Sequence, residues 1–345
     1  MMPDLRGLAT GVGSLPYKKP KDALDLIFKY LPEIPFWPQL PRRSFMEGMV
    51  AQYSQNIPCL SIAGDELIFR SKNIDDDLEK FYEKIISRDL EYFAIGADHA
   101  LGLYEFRKAL RNEPKFLEQA KYIKCHITGP FTFSASVIDD KGLALLHDPV
   151  LRQAIIKGLA MKALWQVNFL KEFNKDIIMF IDEPYLASFG SAYTPITRED
   201  VVKGLTELAT DLKSENVLTG VHCCGNTDWS IFTDIGPLDM INFDAYNFMD
   251  KFVLYADDLK KFLNRKGIIC WGIVPTQEFS DKITSRSLQE KINTGLEALK
   301  KKGVVEKELL SGLLVSPSCG LGSLDASKAG PIFKLLSEVS DLMVK

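Results

Sequence analysis

Residues 218–226 read LTGVHCCGN and hold one of the four histidines and two of the six cysteines of a 345-residue chain. An imidazole and a thiolate are half of a tetrahedral zinc site. Side chains alternate across a strand, so His222 and Cys224 share one face and Cys223 takes the other. Cys223 is then expected to pack as a small buried residue among helices, and a vicinal Cys223–Cys224 disulfide is disfavoured. Cys319, in SPSCGLG, offers a second thiolate, and Gly320 beside it lets the backbone turn sharply. Asp244, in INFDAY, is a candidate oxygen ligand, with capping of the following helix as its alternative. For the whole set the alternative is a packed interior without metal.

Short apolar runs rich in Val, Ile and Phe alternate with longer helical patterns, as in a parallel sheet with crossover helices. The candidate strands are 8–14, 34–40, 122–129, 176–183, 218–224, 240–246, 267–274 and 312–318. The clearest helical patterns are 19–31, 44–56, 150–173, 198–213, 288–302 and 326–344. Thr197 and Ser287 stand at N-cap positions, and Glu290 after Ser287 completes a capping box. Residues 57–112 read as an insertion after the second strand, a short hairpin followed by one or two helices. The expected fold class is α/β, a single (β/α)8 TIM barrel over residues 1–345. A doubly wound sheet is the alternative, but GVGSLP lacks the Gly-rich nucleotide signature.

In such a barrel the active site forms at the C-terminal ends of the strands. Gly13 and Ser14 end the first, Thr128 and Gly129 the third, Asp182 and Glu183 the fourth. His222 and Cys224 end the fifth, Asp244 ends the sixth, and Cys319 follows the eighth. One shared site explains this recurrence. The backbone around Gly13 and Ser14 could serve as an anion site, and Asp182 and Glu183 as a cation site. Cys125 and Cys270 read as packing, and His126 as core or as support for the site. Arg42 and Arg43 read as an anion site or as a solvated basic pair.

Composition narrows the partners. A formal net charge of −4 provides no broad positive field for nucleic acid. No apolar run approaches the roughly 20 residues of a membrane span, and the N-terminus lacks a signal-peptide shape. The expected location is cytoplasmic, with reduced thiols.

The segments TGVGSLP (10–16), ITGPFTF (127–133), FIDEPYL (180–186), VHCCGNT (221–227), INFDAY (241–246) and SPSCGLG (316–322) carry a family resemblance. In that order they resemble the catalytic barrel of cobalamin-independent methionine synthase. The wider group includes uroporphyrinogen decarboxylase and corrinoid-dependent zinc methyltransferases. The resemblance implies zinc held by His222, Cys224 and Cys319, with Asp244 where the methionine synthases carry a glutamate. It implies Asp182 on the substrate ammonium and Ser14 with its backbone on the carboxylate. A second substrate-binding glutamate has no clear counterpart, Glu47 being near. The implied reaction is methyl transfer to a small thiol, homocysteine giving methionine. The donor would be a methyl-folate or, as expected for a single barrel, a methylcorrinoid such as methylcobalamin or a corrinoid protein. Alternatives are a coenzyme M-type thiol methyltransferase, a metal-free decarboxylase, and a non-catalytic zinc- or corrinoid-binding protein. The decarboxylase would call for an arginine-rich segment where this chain reads GVGSLPYKK.

Overall fold

The computed structural model describes residues 5–70, 72–191, 194 and 196–344. A short antiparallel hairpin, β1 (Leu60–Ala63) and β2 (Glu66–Phe69), lies inside the expected insertion. It precedes a curled sheet of six parallel strands in sequence order. These are β3 (Tyr122–Thr128), β4 (Asp176–Asp182), β5 (Leu218–Cys223), β6 (Met240–Phe243), β7 (Ile268–Val274) and β8 (Leu313–Pro317).

The first two candidate strands differ from expectation. Segments 8–14 and 34–40 form isolated parallel bridges, Ala9 with Val315 of β8, Ser14 with Gln39, and Phe36 with Lys124 of β3. Pro35 and Pro38 explain part of this, because proline has no N–H to give a ladder. The backbone still pairs where it can. Thr10 N–H donates to Val315, Gln39 N–H to Gly13, and Lys124 N–H to Pro35. The two segments therefore link the last strand of the sheet to its first.

Alternation along the strands sorts the side chains. Ile123, Cys125, Ile127, Val221, Cys223 and Ile241 belong to the large cluster packed with the helices. Ile178, Phe180, Met240, Ile268, Cys270 and Leu314 form a separate inner cluster with Leu5, Leu8 and Ile34. Each fully buried side chain of this size contributes about 1.5–3 kcal/mol, so both faces are anchored and a one-residue register slip is strongly disfavoured. The parallel register aligns Thr128, Asp182, His222 and Asn242 across β3–β6. That polar row sits one residue pair beyond the inner plug of Phe180 and Met240, towards the C-terminal ends.

Helix Arg198–Lys213 starts at Thr197 in a capping box with Asp200. Helix Pro149–Leu170 is buried on most of its circumference because it lies against both helix Arg198–Lys213 and the turn Leu90–Phe93 of the insertion. Three local expectations are corrected. Residues 44–56 form two 3-10 turns, Phe45–Glu47 and Ala51–Tyr53, with the Ser44 hydroxyl capping the first. Helix Ser285–Lys301 starts a turn earlier than expected, with Thr284 as its cap and Ser287 as the box partner. The sixth strand stops at Phe243, because Asp244 already caps helix Ala245–Phe252.

Candidate metal centre

His222, Cys224 and Cys319 offer ligand atoms that all lie within 4.8 Å of one another. His222 is the last inward residue of β5, Cys224 follows the strand end, and Cys319 comes from the loop after β8. Asn242 of β6 orients the imidazole, its Oδ1 lying 2.6 Å from His222 Nδ1. The Asn242 amide donates to the Cys270 carbonyl and to Ser316 Oγ, both at 2.9 Å. Its Oδ1 must therefore accept and His222 Nδ1 must donate, so the neutral ring offers its Nε2 lone pair to a metal. This donor set suits zinc.

The thiols divide sharply. Burial pushes Cys125, Cys223 and Cys270 up to about 12, so they stay protonated and inert. Cys224 is lowered, because the Cys319 thiol donates to it; burial opposes this and His222 adds to it. The same shared proton raises Cys319. One thiolate is thus ready beside the imidazole.

The loop carrying Cys319 is fastened at two points. Ser14 Oγ accepts from Gly322 N–H at 3.2 Å, and the Ser14 carbonyl accepts from Leu321 N–H at 2.9 Å. Arg42 donates to the carbonyls of Gly322, Ser323 and Leu324 at 3.3, 2.9 and 2.9 Å. Glycine at 320 and 322 permits the contact, since an added Cβ would lie 2.3 Å from Ser14 Oγ or 2.9 Å from Ser14 Cβ. Arg43 instead pairs with Glu47 at 2.6 Å and reaches the Asp98 carbonyl.

A cavity of about 340 Å³ opens beside the three donors, lined also by Ser14, Met49, His126, Thr128 and Asp182. Asp182 is 9 % exposed, and its Oδ1 has no hydrogen-bond partner among the described residues. Burial raises its carboxyl to about 6, against the pull of His222 and Lys124.

Other sequence candidates lie elsewhere. Asp244 gives one oxygen to Asn247 N–H and the other to the Asn247 side chain, both at 2.9 Å, and stands outside the three-donor cluster. Glu183 turns from the cavity to the start of helix Pro130–Ser136. There it accepts from the N–H groups of Phe131 and Thr132 and from Thr132 Oγ1. Glu47 is fully buried and accepts from Leu40 and Leu101 N–H. Gly13 backs the cavity wall, where an added Cβ would meet His126 Nδ1 at 3.0 Å. Asn242 is the residue beside the three donors that the strand pattern did not flag. Its position in register with His222 is the signal that could have found it.

No protein-family model matches the chain. The chain is similar to a methionine synthase of Methanocaldococcus jannaschii, 27% identical over 222 residues. The match covers 64% of this chain and 65% of that relative's length. A solved D-psicose 3-epimerase, in the presence of D-fructose, aligns at TM-score 0.41 and 12% identity, over 76% of this chain and 93% of that one. No helix among the described residues is long and apolar enough to cross a membrane.

Proposed function

We propose that this chain is a zinc-dependent methyltransferase acting on a small thiol, homocysteine giving methionine. The methyl donor in this reading is a methylcorrinoid or a methyl-folate. One observation carries the reading: three metal-ligating donors converge on a cavity that also holds a buried carboxylate oxygen with no hydrogen-bond partner among the described residues. Similarity to a methionine synthase supports methyl transfer in general.

His222 through Nε2, Cys224 and Cys319 would hold the ion. Bound zinc would supply a Lewis acid that favours the thiolate form of a substrate thiol at neutral pH. Asp182 would take the substrate ammonium on its free oxygen. Coenzyme M carries no cation, so Asp182 favours an amino acid over that acceptor. Val12, Pro41, Met49 and Pro184 give the cavity apolar walls that keep water from the reacting methyl group. The substrate sulfur forms the new C–S bond as the bond between methyl carbon and donor breaks, and that electron pair leaves with the donor. A neutral thioether results. In the same reading segments 8–14 and 34–40 serve as the first two staves of a closed (β/α)8 ring, and the chain works as one unit in the cytoplasm.

The test is methionine formation by the zinc-loaded chain from homocysteine with methylcobalamin or methyl-folate. Product from either donor supports the reading and identifies the donor. A zinc-bound chain that forms no methionine from either would contradict it.

A further inference from the structure

His126 lines the cavity, is 2 % exposed, and has no hydrogen-bond partner on either ring nitrogen among the described residues. Its surroundings hold it in place. The Trp37 ring stacks on it with centroids 3.9 Å apart. Trp37 Nε1 in turn donates to Gln166 Oε1 at 3.0 Å. The His126 carbonyl accepts from Tyr53 Oη at 3.0 Å and from Gln166 Nε2 at 3.1 Å. On another side Gly13 lies close to the ring, an added Cβ standing 3.0 Å from His126 Nδ1. A buried polar group left without a partner costs stability, so a fixed imidazole facing a cavity calls for a polar group on whatever fills it.

The charge around it selects the sign of that group. Burial first, then the nearby Lys124 ammonium, hold His126 well below its ordinary range, so it is neutral and carries one N–H. Lys124 lies two residues back on the same inward face. Its Nζ stands 4.6 Å from the ring of Phe180, the residue paired with His126. A hydrogen-bond donor above a buried cation suits an anion. Asp182, two residues beyond Phe180 on the neighbouring strand, suits a cation.

We propose that His126 donates a hydrogen bond to the carboxylate of the substrate thiol, making the cavity selective for thiols that carry a carboxylate. This rests on the proposed function, whose acceptor it specifies by chemistry. The test is calorimetric binding to the zinc-loaded protein of three thiols: homocysteine, its decarboxylated analogue aminopropanethiol, and its deaminated analogue mercaptobutyrate. His126→Phe keeps a ring on Trp37 but removes both nitrogens; His126→Met is the second variant if the first fails to fold. Either should weaken homocysteine and mercaptobutyrate by about ten- to a hundredfold and leave aminopropanethiol unchanged, with zinc content intact. Equal weakening of all three, or of none, overturns the assignment of His126 alone. A zinc-loaded wild type that binds none of the thiols overturns both this inference and the thiol acceptor it rests on.

Discussion

His222 and Asn242 face each other across adjacent strands, with Nδ1 and Oδ1 2.6 Å apart. Two further hydrogen bonds fix the Asn242 amide, so its oxygen dictates which imidazole nitrogen keeps the proton. Replacing Asn242 with Ala should lower zinc affinity by about ten- to a hundredfold, as for other partners of metal-bound histidines. Competition with a chromogenic chelator measures this. An unchanged affinity would mean that Asn242 does not set the tautomer.

Arg42 ties three successive carbonyls downstream of Cys319. Arg42→Ala should loosen that loop while leaving the ligand set intact. The expected result is zinc loss to excess chelator roughly tenfold faster, with little change in melting temperature. Equal release rates would show that Ser14 and the glycine contacts hold the loop alone.

Much of this arrangement was readable from residue types. Strand periodicity placed β3–β8 within one or two residues at most ends, and it put His222 and Cys223 on opposite faces. The first two candidate strands were harder, because prolines 35 and 38 break a ladder that the apolar pattern alone suggests. Glu183 looked equivalent to Asp182 because adjacent acids at a strand end share a motif. Alternation turns the two apart, and Glu183 ends on helix Pro130–Ser136. Arg42 and Asn242 act through partners distant in sequence, Gly322 and His222, which no local pattern encodes.

Asp182→Asn keeps the shape of the side chain and removes its charge. Zinc content should be unchanged. Binding of homocysteine and of its decarboxylated analogue should weaken by about ten- to a hundredfold, with the deaminated analogue spared. The complementary pattern expected for His126 variants makes the pair of experiments diagnostic.

Lys162, on helix Pro149–Leu170, is fully buried, its Nζ has no hydrogen-bond partner among the described residues, and burial lowers it from its ordinary 10.5 to about 7. Between those two pH values the unfolded chain binds more protons than the folded one, so stability rises with pH across that window. Lys162→Met should therefore stabilise the protein, on the order of a few kcal/mol at pH 7 and below. The advantage should shrink as pH approaches 10. Melting curves of both proteins across that range measure it; a constant difference would contradict the titration.

His222, Cys224 and Cys319 together are the proposed metal site. Zinc per chain, measured on purified wild type beside Cys224→Ser, tests it most directly. About one zinc is expected in the wild type, with loss of most of it in the variant. A wild type that stays metal-free when zinc is offered under reducing conditions would contradict it, and LTGVHCCGN would then be a packed strand end.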